Sequence, residues 1–368
     1  MRIVVASDKG FSVKQILQAC WPAYVETHAV ADYQRHEVEK ALTCYEGQCG
    51  GYVFFCDHCD EWVFMMRGCN SRLCSSCGKR YAEQWAVSLS QALAPVPHRH
   101  IVLTAPDTLW PYLRTWDVMR VYMNAAIAAF NDYFSRRLHR HVRVGIVEVL
   151  HPFGKDMKWY PHLHLIVSEG GFSADGTFVP MLFIPAAGFR KKWQFEVLRA
   201  LAPYVPASII NDMYQQHQQG FYVWLHASGR IKHPKQLAKY VGRYVRHPAI
   251  SNRRITGFDG KTVQFCYTGH EGQQHDVVMS ADEFITALIQ HVPPKNFKMI
   301  RHYGAYARQL KKRYGAKTRS GITQLNLTAF GLERLTKCPF CGHTMTFVWY
   351  MKKPPPEAEI SQGLLPWL

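Results

Sequence analysis

At the centre of the chain stands the segment His162-Leu163-His164-Leu165-Ile166-Val167, in which histidine and apolar residues alternate. Residues two apart in a β-strand project from the same face, so this pattern predicts a strand with both imidazoles on one face and the leucines in the core. Two imidazoles on one face can hold a metal ion and leave most of its coordination positions open. The alternative is a pair of structural histidines, since the chain contains 19 histidines. The sequence before the pair offers a third possible ligand, which favours a metal site over structural histidines.

Two strands and a long helix are predicted before the histidine pair, at residues 100–104, 143–150 and 117–138 respectively. If the second of these strands pairs with the histidine strand, a third metal ligand comes from His151 or Glu148, which face opposite sides of the sheet. We favour His151. An ion with nitrogen and oxygen ligands and open positions can polarise a phosphoryl oxygen, and magnesium or manganese suits such a site.

Two tyrosines, Tyr240 and Tyr244, stand further along the chain in a strongly basic segment. Their spacing places them on one face of a helix, which we predict between the His-Pro pairs at 233–234 and 247–248. A phenol with a pKa of about 10 is a poor nucleophile at neutral pH unless cations or a metal favour its ionised form or the proton leaves during attack. The alternative is an aromatic pair packed in a core. Positive charge beside the phenols comes from three residues that we predict to bind DNA: Lys239, Arg243 and Arg246.

Two Cys-x-x-Cys pairs near residue 60 have a spacing typical of a four-cysteine zinc site. The predicted zinc ligands are Cys56, Cys59, Cys74 and Cys77. Residues 61–66 alternate as expected for the hairpin strand of a zinc ribbon, and a closed shell of four thiolates makes this zinc structural.

Further cysteines exceed the needs of one tetrahedral site. Cys69 is interpreted as a small buried hydrophobic residue, with a second ion as the alternative, for which Cys44, Cys49 and His58 are also available. The late pair Cys338 and Cys341 either recruits His343, completes a site with distant ligands or binds nothing. These alternatives stay open at the level of sequence.

The charge of the chain points to a polyanionic partner. The formal net charge is +17 and the sequence pI about 9.4, which favours nucleic acid because Lys and Arg release counterions from phosphates. Arg301 begins a basic C-terminal stretch with interleaved tyrosines, which can contact phosphates and stack on unpaired bases. The sequence has no apolar run of about 18 residues and no secretory signal, so we expect a cytoplasmic protein without a membrane partner.

Together these motifs resemble the rolling-circle transposases of the insertion sequence 91 family, members of the two-tyrosine HUH endonucleases. The resemblance rests on four segments in the family's order: residues 56–77, 153–171, 240–248 and 291–304. It covers most of the chain and is far more specific than any one motif. Tyr160 stands where family members commonly have a histidine, so no ligand role is predicted for it.

The resemblance implies that His162 and His164 bind the divalent cation and that Tyr240 and Tyr244 are the nucleophiles. It implies a transposase that nicks and rejoins single-stranded DNA at element ends and at the target, becomes joined to the 5′ phosphate, and needs no small-molecule cofactor. The alternatives are a plasmid or phage replication initiator and a noncatalytic, zinc-dependent nucleic-acid binder.

The expected fold is α+β, with a central antiparallel sheet flanked by helices as in HUH nucleases, and an N-terminal zinc-binding domain. We predict a zinc-ribbon-like DNA-binding domain over residues 1–95 and a catalytic domain with the tyrosine helix over residues 96–292. A basic C-terminal region with the late cysteine pair and a flexible tail is predicted over residues 293–368.

Overall fold

The structure, a computed structural model, describes residues 2–5, 10–46, 49–181, 184–225, 241–242, 245, 248–269, 271–307, 337–352 and 359–362. Its α-helices are α1 (Val13–Thr27), α2 (Asp32–Leu42), α3 (Ser75–Ala92), α4 (Trp116–Arg137), α5 (Ala186–Leu201), α6 (Ala207–Gln216) and α7 (Ala281–Ile289). Its strands are β1 (Arg2–Val5), β2 (Gly51–Cys56), β3 (Glu61–Met66), β4 (His98–Thr104), β5 (Arg143–Phe153), β6 (Trp159–Phe172), β7 (Phe178–Pro180), β8 (Val223–Leu225), β9 (Ile255–Phe258), β10 (Thr262–Thr268), β11 (Gln274–Ser280), β12 (Ile300–Tyr303), β13 (Thr346–Met351) and β14 (Glu359–Gln362).

A six-stranded antiparallel sheet forms the centre of the molecule. Its strand order is β12-β5-β6-β4-β8, and β7 pairs with the end of β6. The two long central strands, β5 and β6, carry the predicted metal ligands and pair directly with His151 opposite His162. The predicted α+β class with a central antiparallel sheet and flanking helices is confirmed.

The two faces of the central sheet have different partners. On one, which we call the α4 face, Ile146, Leu163 and Leu165 share a core with α4 and α5. On the other, which we call the α3 face, Val147, Val149 and Ile166 share a smaller core with α3. Because side chains alternate along a strand, His162 and His164 lie on the α3 face with Ile166.

A second core joins segments that are distant in sequence. Helices α1 and α2 pack with α7 and the small sheet β11-β10-β9, so residues from the predicted N-terminal and catalytic domains share one hydrophobic cluster. Helix α7 begins where expected, because Ser280 and Glu283 form a reciprocal capping box.

A third sheet contains both ends of the described chain. Its order is β13-β2-β3-β1-β14, and the β2–β3 hairpin contains the predicted zinc-ribbon strand at residues 61–66. The C-terminal strand β13 runs antiparallel to β2 along its outer edge. Over the parts of the chain set out above, no helix combines the length and apolar character needed to cross a membrane.

Candidate active site and cysteine clusters

Three histidines meet on the α3 face of the central sheet. One ring nitrogen from each of His151, His162 and His164 lies within 4.8 Å of the others. The His151 Nδ1 and His162 Nε2 atoms are 3.2 Å apart. Two nitrogens that bind one ion at right angles, each about 2.1 Å from it, lie about 3.0 Å from each other, so this spacing suits a shared cation.

Hydrogen bonds fix which nitrogen atoms face the centre of this histidine triad. His162 Nδ1 donates to the carbonyl oxygen of Tyr160 at 2.8 Å, which turns Nε2 inward. Burial lowers the pKa of His162 to about 4 and that of His164 well below its usual range. Both imidazoles are therefore neutral at neutral pH, as a metal ligand must be.

His100 on β4 is a member of this site that the sequence did not identify. Its Nε2 lies 3.0 Å from Nδ1 of His164, and the two rings stack with an interplanar angle of 4°. The contact fixes the orientation of His164, as outer hydrogen-bond partners do in metal sites. The sequence signal was present in the alternation His98-Arg99-His100, but its meaning depends on the register between β4 and β6.

Glu148, the alternative third ligand, lies on the α4 face, away from the histidines. It follows Ile146 and precedes Leu150 on that side of β5, and its side chain is fully buried. Burial raises the pKa of Glu148 well above its usual range. The structure therefore brings His151, and not Glu148, to the histidine pair.

Tyr240 and Tyr244 lie outside the described residues, as do Lys239, Arg243 and Arg246. Three residues adjacent to them in sequence are described. Val241 and Val245 are fully buried and share the core of the α3 face with Val147, Val149 and Ile166. A Cβ on Gly242 would stand 3.3 Å from the carbonyl oxygen of Ala82 in α3.

The segment that follows the tyrosines also reaches the histidine triad. Pro248 and Ala249 line a small cavity together with His151 and His291. The described residues that lie between the two tyrosines in sequence, and those that follow them, are therefore on the same face of the sheet as the three imidazoles.

Arg301, a predicted DNA-binding residue, is on the opposite face. It pairs in register with Glu148, and its guanidinium donates to Asn124 on α4 and to the hydroxyl of Tyr303. The structure thus places Arg301 away from the histidine triad.

The grouping of the zinc ligands predicted from sequence is wrong. Cys56, Cys59, Cys74 and Cys77 do not meet, because the two Cys-x-x-Cys pairs belong to different clusters. One cluster, which we call the helix cluster, contains Cys44, Cys69, Cys74 and Cys77, and the other, which we call the ribbon cluster, contains Cys56, Cys59, Cys338 and Cys341. Cys69 is consequently a member of a cluster and not an isolated buried thiol.

The helix cluster has the dimensions of a tetrathiolate zinc site. Four sulfurs at about 2.3 Å from a central ion lie about 3.8 Å from one another. Cys44 Sγ is 3.5 Å from that of Cys74 and 3.8 Å from that of Cys77, which is 3.9 Å from that of Cys69. Hydrogen bonds from Cys44 and Cys69 lower the pKa of Cys77, whereas hydrogen bonds to Cys69 and Cys74 raise the pKa of Cys44. Four thiols at this distance cannot all ionise without a cation between them.

Two transposase families match the chain. A family described as "Transposase zinc-binding domain" matches residues 16–105, and one described as "Putative transposase" matches residues 145–313. The first range contains the whole helix cluster and the second contains the histidine triad and both tyrosines.

Individual relatives agree with the family matches. The transposase for insertion sequence element IS801 of Pseudomonas savastanoi pv. phaseolicola is 29% identical over 315 residues, covering 80% of this chain and 75% of its own length. The putative transposase y4qJ of Sinorhizobium fredii is 26% identical and covers 84% of each chain. Among solved structures, the origin-recognition and nickase domain of human bocavirus non-structural protein 1 matches 49% of this chain and 70% of that domain, at 14% identity and a TM-score of 0.23. A TM-score this low does not show a shared fold.

Proposed function

Because the chain belongs to the insertion sequence 91 family of transposases, we propose that it nicks and rejoins single-stranded DNA by attack of Tyr240, Tyr244 or both on a phosphate held at the histidine triad. The proposed product is a protein joined to the 5′ phosphate of the cut strand, and its use is rolling-circle transposition of the element. A DNA partner follows from the family itself, whereas the single-stranded substrate and the tyrosine chemistry are proposals.

One observation carries the proposal. The imidazoles of the triad and the buried residues Val241 and Val245 lie on the same face of the central sheet. Tyr240 precedes Val241 in the sequence and Tyr244 precedes Val245, and this adjacency is the ground on which we propose that the phenols act at the face that bears the imidazoles. Pro248 and Ala249, which follow the tyrosines in the sequence, line a cavity together with His151.

The residues of the triad suit a divalent cation. His151, His162 and His164 would hold it, and the neutral state of the two buried imidazoles supports this. Such an ion, magnesium or manganese in our proposal, would supply Lewis-acid polarisation of a phosphoryl oxygen. Three protein ligands leave coordination positions for oxygens of the phosphate.

In the proposed reaction a tyrosine hydroxyl attacks the phosphorus atom of a phosphodiester. The bond between the phenolic oxygen and phosphorus forms, the bond from phosphorus to the 3′ oxygen breaks, and the phenolic proton ends on the released 3′ hydroxyl. Lys239 and Arg243, next to the tyrosines in sequence, favour the phenolate by their positive charge. The phosphotyrosine bond retains the energy of the broken linkage, so rejoining needs no nucleotide.

The test uses a single-stranded oligonucleotide library with a randomised segment and different fluorophores at its two ends. With manganese or magnesium, the parent protein should carry the 3′-end label on a denaturing protein gel, because the protein joins the 5′ phosphate of the downstream fragment. The 5′-end label should leave as a shorter strand that a polymerase can extend. Attachment of the 5′-end label would show that the proposed polarity is wrong.

The tyrosine variants decide the nucleophile. The double variant Tyr240→Phe, Tyr244→Phe should form no adduct, while Tyr214→Phe, which changes an exposed tyrosine on α6, should behave as the parent does. An unchanged adduct in the double variant would disprove the tyrosine mechanism. A parent protein that binds the library but cuts none of it would support the noncatalytic binder.

A further inference from the structure

The ribbon cluster joins the N-terminal β2–β3 hairpin to a C-terminal turn, and its Cys338 and Cys341 lie outside the ranges of both family matches. Cys56 ends β2 and Cys59 lies in the turn before β3, whereas Cys338 and Cys341 lie in a turn just before β13. We propose that these four cysteines bind a second zinc ion, independent of the helix cluster, which fastens the C-terminal strand β13 to the N-terminal ribbon.

The sulfur positions support a tetrathiolate site. Cys56 Sγ and Cys341 Sγ are 3.6 Å apart, and Cys59 Sγ and Cys338 Sγ are 3.9 Å apart. These values bracket the spacing of about 3.8 Å expected around one zinc ion, and they exceed the length of a disulfide, about 2.05 Å. The four ligand atoms all lie within 4.8 Å of one another.

The backbone around the late pair is built as a metal-binding turn. The Cys338 amide donates to the carbonyl oxygen of His343 at 2.7 Å, and the Gly342 amide donates to that of Cys338 at 2.9 Å. Gly342 has a φ of +75°, which glycine adopts without strain. An isolated bridge between Lys337 and Thr344 closes the turn. Both thiols of this pair are thereby directed towards the facing pair on the ribbon.

The strand that follows needs such an attachment. None of the six side chains of β13 is buried, and its aromatic rings contact the β2–β3 hairpin from the solvent side only. Hydrogen bonds of a solvent-exposed edge strand add little net stability. The cysteines of the two close pairs are 285 and 279 residues apart in sequence, and bringing them together costs chain entropy that grows with the logarithm of this separation. A zinc ion can offset this cost, because an ion that binds only once the four thiolates are brought together contributes its binding free energy to folding.

A competing ligand set shares one of these cysteines. His58, Cys341 and His343 also bring one ligand atom each within 4.8 Å, and the two imidazoles stack with centroids 3.8 Å apart. His58 and His343 are both exposed, while Cys56 and Cys338 are buried. Buried sulfur ligands favour the four-cysteine set, and variants of the histidines can test it.

The first measurement is the zinc content of the purified full-length chain by mass spectrometry of the metal. The double variant Cys338→Ser, Cys341→Ser should contain one zinc ion fewer than the parent, as should Cys44→Ser, Cys69→Ser in the helix cluster. The matched control Cys20→Ser, Cys266→Ser, which changes two cysteines outside both clusters, should lose none. His58→Ala, His343→Ala should also lose none. A full zinc content after removal of Cys338 and Cys341, or loss of an ion from the histidine variant, would overturn the four-cysteine assignment.

A second measurement uses the unaltered protein, so that a folding defect in a variant cannot decide the matter. Alkylation with N-ethylmaleimide followed by peptide mass spectrometry should label Cys341 at least tenfold more slowly than Cys20 while zinc is bound. Both residues are of intermediate exposure. After removal of zinc with a chelator, Cys341 should react together with Cys338, Cys56 and Cys59. Equal labelling of Cys341 with and without the chelator would contradict the proposal.

Discussion

Replacement of Glu148 by glutamine is expected to make the protein's stability less sensitive to pH. Glu148 is fully buried on the α4 face, and neither carboxylate oxygen has a hydrogen-bond partner among the described residues. Burial raises its pKa well above the usual value of 4.5, although the charge of Arg301 acts in the opposite direction. The folded protein therefore keeps this carboxyl protonated at pH values where the unfolded chain has lost the proton.

The sign and size of the effect follow from proton linkage. Between about pH 4.5 and the raised pKa of the folded state, the folded protein binds one proton more than the unfolded chain at this site. The free energy of unfolding therefore falls as pH rises through this window, by about 1.4 kcal/mol per pH unit from Glu148 alone. Glutamine has nearly the same size and does not titrate, so Glu148→Gln removes this slope and leaves any loss of packing as a constant offset.

The measurement is urea unfolding, followed by tryptophan fluorescence at half-unit steps from pH 5 to pH 8. The free energy of unfolding of Glu148→Gln minus that of the parent should rise with pH. For Glu271→Gln, at an exposed position, this difference should stay constant with pH. Parallel curves for Glu148→Gln as well would refute a raised pKa. Glu148→Gln should also cleave DNA with unchanged manganese dependence, because the residue faces away from the triad. Loss of metal binding would instead make Glu148 a ligand.

Three further outcomes are expected. His151→Ala should weaken manganese binding more than the tenfold to hundredfold typical of outer-shell changes, and calorimetry that shows equal affinity would exclude it as a ligand. His100→Ala should weaken manganese binding by about tenfold to a hundredfold, because His164 loses the contact that orients it. His100→Gln should recover part of this affinity. An equal loss of affinity in both variants would show that the imidazole itself is needed. Gly304→Ala should lower the melting temperature more than Gly260→Ala. Both glycines have positive φ, but a Cβ at position 304 would overlap the carbonyl oxygen of Val144, whereas the space around position 260 is open. Equal decreases in the two variants would mean that backbone strain alone, and not this overlap, lowers the melting temperature.

Periodic segments were predictable from sequence because their signals are local. The helix expected over residues 117–138 is α4, Trp116–Arg137, and the ribbon strand expected at 61–66 is β3. The alternation around His162 places both imidazoles on one face, since each intervening leucine is buried in the core of the other face. For such features, neighbours within a few residues contain all the information required.

Features that depend on pairing between strands were not predictable. The parity of His151 and Glu148 separated their faces, but only the register of β5 against β6 shows which of them meets His162. The contact of His100 with His164 depends in the same way on the register of β4. A shift of one residue in either register would move these side chains to the opposite face.

The cysteines show why spacing alone can mislead. Every Cys-x-x-Cys pair supplies two thiolates with the same local geometry, so the sequence cannot say which two pairs share an ion. The nearest pair along the chain was the natural partner, yet β13 reaches β2 from nearly the other end of the chain and brings Cys338 and Cys341 to Cys56 and Cys59.

The two kinds of site also differ in what holds their ligands in place. His162 and His164 alternate with residues that are completely buried, so the hydrophobic core orders the imidazoles before any cation arrives. A reaction that must exchange phosphate oxygens at an open metal benefits from ligands that do not reorganise. The ribbon cluster is the reverse case, because the exposed strand β13 has little core of its own and its position depends on the four thiolates. A histidine pair within one core strand can therefore be predicted from sequence. Cysteines whose metal holds their strands in place can be grouped into sites only when the positions of those strands are known.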